Sequence, residues 1–266
     1  MPTQKGLEWI FDTVAATYEK LRPDYVDELY QTIFDYIPID ENSCVVEVGS
    51  GSGQATAPML KTGCCLTAVE CGRQFSERLR ERFREYPNFS VVTDKFENVD
   101  FPDGAFDLVY SASAFHWIPE EIGYKKVFSM LKNGGAFARF ANNPYRAKEN
   151  PALSEEMDAI YDEYYYNYYN NKKKEPLTDY TEGQAKARAE IAERYGFSDI
   201  RYALFHRERV FSAKEYTSLL GTYSDHIAME ETIKMRFFSK IEEAINRHGG
   251  AITIYDTIDL QLASKE

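Results

Sequence analysis

The stretch Val45-Val46-Glu47-Val48-Gly49-Ser50-Gly51-Ser52-Gly53 decides the fold. With Cys44 it opens as a short β-branched run of the kind that forms a buried strand, and it then breaks into alternating glycines. Glycine lets the chain turn tightly and lets a ligand approach the backbone. The segment Ala55 to Lys61 follows as a helix closed by Gly63, and the free N–H groups at its start favour an anionic group. A nicotinamide-type loop would space its glycines G-x-G-x-x-G. Gln54 and Thr56 leave G-x-G-x-G instead, so the pyrophosphate register is missing. Glu47, two residues ahead of Gly49, is out of place beside a pyrophosphate but suits a ligand bearing an ammonium group.

Outward from this stretch the periods alternate. Ahead of it, Tyr25, Leu29, Ile33 and Tyr36 mark an amphipathic helix over Asp24 to Tyr36, between Pro23 and Pro38. Behind it, strands are expected over Leu66 to Val69, Phe89 to Thr93, Phe106 to Ser111 and Ala136 to Ala141. Helices are expected over Phe75 to Tyr86 and Glu120 to Leu131, the second ended by Asn133, Gly134 and Gly135. Such alternation predicts right-handed crossovers and a parallel sheet covered on both faces. Asn150 to Tyr195 is helical and polar, and then Ile200 to Val210 reads as a strand. Ser212 with Glu215 forms a capping box, a long helix runs from about Glu230 to Gly249 and Gly250, and Ala251 to Ala263 alternates as a strand. The expectation is therefore an α/β protein: a doubly wound, Rossmann-like, seven-stranded and mostly parallel sheet. Residues 1–146 and 197–266 form the core, and 147–196 is an inserted helical cap over the substrate site.

Composition narrows the function. Among 266 residues, 31 Lys and Arg stand against 43 Asp and Glu, a formal net charge of −12. Capture of a nucleic-acid backbone needs clustered basic residues, and the run Lys172 to Lys174 reads as a solvated helix end, so no nucleic-acid partner is expected. No stretch approaches the roughly 18 apolar residues of a membrane span. The first residues, MPTQKGLEWIFDTVAATYEK, carry acids where a signal peptide would be apolar, so a cytoplasmic protein without a membrane partner is expected. Cys44, Cys64, Cys65 and Cys71 lack metal-site spacing and read as reduced thiols, mostly buried; no metal site is expected.

Two acids extend the glycine loop into a site. Glu70 closes the second strand, one βαβ unit after the glycines, where a carboxylate can accept hydrogen bonds from ribose hydroxyls. Asp94 closes the third strand, where it can accept from the exocyclic amine of an adenine. Together these describe an adenosine ligand carrying an amino-acid group in place of pyrophosphate.

On these residues the chain resembles class I S-adenosylmethionine-dependent methyltransferases: VVEVGSGSG, Glu70, the TDKFENVDF segment around Asp94 and FDLVYSASAFHW. Within that superfamily Ala114-Phe115-His116-Trp117, the early YEKLRP from Tyr18 to Pro23 and the late Thr222-Tyr223-Ser224 are similar to the trans-aconitate methyltransferase-like group of small-molecule enzymes. The resemblance implies that the last strand of the sheet is antiparallel, with S-adenosylmethionine as cofactor and S-adenosylhomocysteine as product. It implies that Gly49, Gly51 and Gly53, with Glu47 near them, line the methionine portion, that Glu70 holds the ribose, and that Asp94 and Phe96 hold the adenine. Tyr18 and Arg22 would approach the methionine carboxylate, and Ser50, Lys95 and Ser111 complete the cofactor set. Asp94-Lys95-Phe96 departs from the small residue before an acid found in many relatives.

The acceptor side reads less sharply. His116 follows the fourth strand, at the carboxyl ends where ligands sit in doubly wound sheets, as a general base, a substrate hydrogen-bond partner or a pin for its own loop. Trp117 reads as a pocket wall. Six of the nine residues from Tyr161 to Tyr169 are tyrosine, and Tyr161, Tyr165 and Tyr168 would share a helical face, either closing over an organic substrate or packing the insert. Tyr223, Ser224 and His226 border the same pocket or make a capped turn. The function expected is methyl transfer to a small organic acceptor, at oxygen ahead of nitrogen or carbon, by a monomer or homodimer. The alternatives are an inactive cofactor-binding scaffold and an NAD-dependent oxidoreductase, the latter disfavoured by the glycine spacing.

Overall fold

The computed structural model describes residues 18–19, 21–146, 149–170 and 179–266. The Lys172 to Lys174 run lies outside the described residues. The strands are β1 (Cys44–Val48), β2 (Cys65–Val69), β3 (Phe89–Val92), β4 (Phe106–Ala112), β5 (Leu131–Arg146), β6 (Ser198–Ser212) and β7 (Ala251–Ser264). They form one seven-stranded sheet of order β3-β2-β1-β4-β5-β7-β6. Pairing is parallel from β3 through β5, while β7 runs antiparallel to both β5 and β6. The order reverses between β1 and β4, which leaves a crevice beyond the carboxyl ends of those two strands.

Both faces are covered, which is why β1 is a continuous apolar run and not an alternating one. Helix α1 (Asp27–Tyr36) lays Leu29 and Ile33 on one face against Val45, Leu66, Leu108 and Tyr110, joined by Met59 of α2 (Thr56–Leu60) and Leu79 of α3 (Arg73–Arg82). Helix α4 (Glu120–Met130) covers the other face, with Tyr124, Val127 and Met130 on Val46, Val48, Val109 and Phe137. Helix α3 stops at Arg82, ahead of the expected Tyr86. All four cysteines are free thiols, but only Cys64 is buried; Cys65 is exposed and the other two are half-buried. No helix among the described residues is long and apolar enough to cross a membrane.

The largest departure from expectation is β5. It runs to Arg146, well past Ala141, and with β6 and β7 it projects as an antiparallel arm, paired from Ala141↔Asp259 to Arg146↔Ile254. Asn142, Asn143 and Pro144 look like a loop in sequence. They lie in a strand because β7 offers acids across the register. The Asp256 carboxylate, fully buried, accepts from Asn142 Nδ2 at 2.9 Å, from Arg209 Nε and Nη2 at 2.6 and 2.9 Å, and from Arg207 Nη2 at 3.0 Å. On the opposite face of β7, Asp259 accepts from Asn143 Nδ2 at 2.7 Å and also from Gln261. Pro144 is tolerated where β5 has outrun β4 and become an edge on that side.

The insert divides. Its first part, α5 (Pro151–Tyr161) and a π-turn over Asp162–Tyr166, packs through Leu153, Met157, Ile160 and Tyr165 onto α7 (Ala213–Leu220), α9 (Glu231–Arg247) and the Ile252 and Ile254 end of β7. Its second part, α6 (Glu182–Ala189) and the 3-10 turns of Glu190–Tyr195, joins the sheet-covering layer. There Ala192 and Phe197 enter the α4-side core and Tyr195 stacks on Tyr124 at 4.9 Å. The expected capping box of Ser212 with Glu215 is present at the start of α7; Glu230 caps α9 without having been expected to, and Ser224 makes no side-chain cap.

Asp256→Ala leaves two guanidinium groups without their shared carboxylate. We expect it to lower unfolding stability by roughly 3–5 kcal/mol, as for a broken buried ion pair, in chemical denaturation. A loss below about 1 kcal/mol would show that the arm is held by its ladder alone.

Candidate functional site

The crevice at the strand-order reversal is a cavity lined by Tyr18 from the amino-terminal segment, by Gly49 and Gly51 after β1, by Glu70 and Cys71 after β2, by Asp94 to Glu97 after β3, and by Ala112 to Ala114, Trp117 and Ile118 after β4. Each wall is the carboxyl end of a parallel strand, so the hydrogen-bond register that aligns the strands also gathers the site. Gly49 takes φ +74°, donates to the Val69 carbonyl at 2.8 Å, and a Cβ there would stand 2.3 Å from the Cβ of Ala114. Only glycine lets the β1 and β4 loops approach so closely.

Glu70 organises the floor. Its Oε2 accepts from the Gly51 amide at 2.8 Å and its Oε1 from the Gly72 amide at 2.7 Å, so one carboxylate spans the glycine loop and the entry to α3. Asp94 lies just past β3, exposed at the rim, accepting from Lys95 N at 2.6 Å and Asn98 Nδ2 at 2.8 Å. Lys95 and Phe96 line the cavity beside it, the Phe96 ring buried under the Lys126 ammonium at 4.9 Å. Tyr18 packs edge-on against Phe75 at 5.4 Å and faces Gly51.

Other expected residues stand behind the wall. Gly53 does not line the cavity; its φ of +85° and a would-be Cβ 2.7 Å from Phe83 show a glycine that lets α3 pack. Ser111 is buried and donates to the Val48 carbonyl at 2.8 Å, tying β4 to β1. Arg22 is a strut: it donates to the Thr222 hydroxyl at 3.1 Å and carbonyl at 3.0 Å, with its guanidinium 4.1 Å from the Tyr223 ring and 4.9 Å from Tyr18. Tyr165, Tyr168, Tyr223 and His226 are likewise not among the cavity-lining residues. The π-turn shifts the helical register, so Tyr165 meets Tyr161 and Tyr169 at 5.7 and 5.1 Å while Tyr168 turns outward. Tyr165 donates to Asp225 Oδ2 at 2.6 Å, His226 Nδ1 meets Asp225 Oδ1 at 2.8 Å, and Tyr168 accepts from the Glu230 amide at 3.1 Å. These contacts fasten the insert to α8 (Ser224–Ile227) and the start of α9.

Trp117 walls the cavity as expected, and His116 beside it is exposed, its ring 5.2 Å from the indole. Local desolvation, then the Arg188 and Arg139 guanidiniums, push its imidazolium below the usual range. With the ring open to water, the direction is what the geometry supports: His116 is neutral at neutral pH and a weak base. Sequence reasoning missed Ser113. It takes φ +54° without being glycine, lines the cavity, and shares a 2.8 Å hydrogen bond with the Tyr25 hydroxyl while Asn142 N donates to it at 3.3 Å. A non-glycine residue held in that region marks a functional constraint, and nothing in its local sequence announces it.

Glu47 lies under the loop, fully buried, accepting from Thr56 at 2.5 Å. Its Oε1 and the Ser50 hydroxyl are buried without a hydrogen-bond partner among the described residues. Burial pushes the Glu47 carboxyl up to about 7, against the opposing pull of the Thr56, Ser50 and Tyr110 hydroxyls. An acceptor and a hydroxyl left over beneath the glycines fit a ligand with an ammonium group, and the apolar wall of Val69, Phe96 and Ile118 fits an aromatic base. Among the described residues no group of three or more His, Cys, Asp or Glu could hold a metal ion.

Comparison with known proteins agrees with this geometry. Residues 45–135 match the methyltransferase domain family model. The chain is 25% identical over 238 residues to an uncharacterized methyltransferase of Schizosaccharomyces pombe, covering 88% of this chain and 86% of that protein. It superposes on a protein provisionally assigned as a type II methyltransferase from Anaeromyxobacter dehalogenans with a TM-score of 0.62 at 18% identity, over 91% of this chain and 97% of the other. It superposes on Haemonchus contortus phosphoethanolamine N-methyltransferase 2, bound to phosphomonomethylethanolamine and S-adenosylhomocysteine, with a TM-score of 0.56 at 13% identity, over 100% of this chain and 61% of the other. In strand order and matched segment the chain has the architecture of the class I S-adenosylmethionine-dependent methyltransferases.

Because Glu47 keeps its proton up to about 7 when folded and loses it near 4.5 when unfolded, the folded state binds more protons between those values and stability falls as pH rises through that window. Glu47→Gln should match the wild type near the bottom of the window and exceed it by roughly 3 kcal/mol above it. Denaturation curves of both proteins across that range test this; parallel pH profiles would refute the raised carboxyl.

Proposed function

We propose that the protein transfers a methyl group from S-adenosylmethionine to an oxygen of a small organic acceptor, a carboxylate ahead of a hydroxyl. The observation that carries this reading is the single cleft that joins the glycine loop, Glu70 and the Asp94–Phe96 segment at the strand-order reversal. Gly49, Ser50 and Gly51 would hold the methionine portion over Glu47, Glu70 the ribose, and Asp94, Lys95 and Phe96 the adenine, with Tyr18 closing the mouth. Gly53, Ser111 and Arg22 would act behind that surface by packing or tying its walls. When bound, the cofactor supplies a sulfonium methyl that is already electrophilic. The chain then has to align the acceptor and keep water out, which Trp117, Ile118, Ser113 and Tyr25 are placed to do.

A carboxylate acceptor needs no proton removed, in keeping with a His116 held neutral and weakly basic. His116 then serves as a hydrogen-bond partner for the acceptor. The Ala114-Phe115-His116-Trp117 likeness to trans-aconitate methyltransferase-like enzymes supports the same choice. The Haemonchus relative, an N-methyltransferase by name, keeps nitrogen as the second reading. Tyr165, Tyr168 and Tyr223 with His226 support the site from outside by fixing the insert. The acidic net charge supports the reading without a nucleic-acid partner, and the sequence expectation of a cytoplasmic monomer or homodimer is kept as part of the proposal.

S-adenosylhomocysteine should raise the melting temperature and NAD should not. In calorimetry, Glu70→Ala should weaken S-adenosylhomocysteine about 30-fold or more, roughly the 2 kcal/mol of a charged hydrogen-bond acceptor. Label transfer from methyl-labelled cofactor to a panel of small carboxylic acids, phenols and amines reads the acceptor atom. Cofactor binding without turnover on any of them would favour the scaffold, and stabilisation by NAD alone the oxidoreductase.

A further inference from the structure

Two pairs of arginines flank β7, one on each face, and they differ in what they hold. On one face Arg207 and Arg209 are both committed to the buried Asp256. On the other face Arg139 of β5 and Arg188 of α6 stand beside each other with far less. Arg139 donates from Nη1 to the Tyr124 hydroxyl at 3.1 Å and lies over the Phe115 ring at 5.3 Å, and its Nε is buried with no hydrogen-bond partner among the described residues. Arg188 meets Asp259 at 3.5 Å, a carboxylate already engaged by Asn143 and Gln261, and lies beside the Tyr180 hydroxyl. Arg188 keeps 22% of its side chain open to solvent, so the pair is reachable.

A guanidinium has five N–H donors in a planar fork, and one left with a single neutral partner in a partly buried site carries an unspent cost. Here each cation also opposes the other: burial, then the Arg188 charge, draws the Arg139 guanidinium below its usual range. The His116 ring feels both charges, and Asp259 offsets the pair with a single carboxylate. One anion placed between the forks would relieve all three strains. The pair is also well placed to do so. Arg139 pairs in register with Ser111 at the end of β4, and His116 shares its turn with the cavity wall Trp117, so the pair lies beside the cleft.

We propose that Arg139 and Arg188, with the His116 imidazole at their edge, form a subsite for an oxyanion, carboxylate or phosphate, borne by the methyl acceptor. This rests on the methyl-transfer reading only in calling the ligand an acceptor; the anion site itself stands on the arginine geometry. Both oxyanions present the paired oxygens that guanidinium forks bind. The site selects the substrate by its charge and turns the reacting end toward the cleft at Ser113.

Calorimetry in low-salt buffer, with sodium succinate and inorganic phosphate as separate probes, tests this on wild-type protein with and without saturating S-adenosylhomocysteine. At least one probe should bind the wild type, and which one does distinguishes carboxylate from phosphate. Arg188→Gln should weaken that probe at least about tenfold while leaving S-adenosylhomocysteine affinity unchanged; because it also removes the cation beside buried Asp259, its melting temperature is expected to fall, and binding is compared at a temperature where both proteins are folded. Arg139→Lys, which keeps the charge but not the fork, should weaken it as well, with kcat/KM for a charged acceptor falling through KM. No binding of either probe, or equal binding by wild type and Arg188→Gln, overturns the subsite. Failure of S-adenosylhomocysteine to bind while a probe still responds to Arg188→Gln overturns the methyl-transfer reading and leaves the anion site standing.

Discussion

The absent side chain of Gly49 sets the geometry on which the cleft depends. At the point where strand order reverses, the loops after β1 and β4 close to a distance that leaves a methyl carbon on Gly49 2.3 Å from the Cβ of Ala114. That approach brings the glycine amides beneath Ser113 and Trp117 and turns two strand ends into one cavity. Glu70 then holds the loop from below through the Gly51 and Gly72 amides. Close packing of backbone against backbone makes the site a property of the sheet as much as of its residues.

The β5–β7–β6 arm does the corresponding work beyond β4, beside the cleft. By carrying β5 past β4, it sets Asn142 beyond the cleft, while Arg139, still paired with Ser111, lies on the opposite face of β5. Each face sets two arginines against one buried acid, but both arginines donate to Asp256 on one face, while on the other, among the described residues, only Arg188 reaches Asp259. A buried acid shared by two arginines contributes little net stability compared with apolar packing, but it makes the arm's register costly to change. The polar residues of β5 are thus positioned rigidly enough to take part in recognition.

Reading the residues alone went far along the first half of the chain and less far along the second. Val45 to Val48, the spacing of the glycines and the acid at Glu70 announce a buried parallel strand, a close turn and a partner carboxylate, because short-range patterns there follow the physics of one βαβ unit. Asn142 to Arg146 conveyed nothing of a strand, since what makes it one is Asp256 and Asp259, more than a hundred residues later. The tyrosine run illustrates the same limit. Its composition points to an aromatic face, yet a π-turn chose which tyrosines converge and Asp225 chose where they point.

What the sequence determined by itself is most of the succession of strands and helices and the glycine-loop and Glu70 side of the cleft. These arise from hydrophobic period, turn chemistry and residues close together along the chain. What only the tertiary structure decided is which groups face one another across the sheet: Ser113 strained into the cavity, Gly53 and Ser111 turned to packing, and Arg139 beside Arg188. The physical reason is that a side chain's role depends on the partners that satisfy its charge and hydrogen bonds. In this chain those partners are distant in sequence, Tyr25 for Ser113, Phe83 for Gly53, Val48 for Ser111 and α6 for Arg139, and they meet only when it folds.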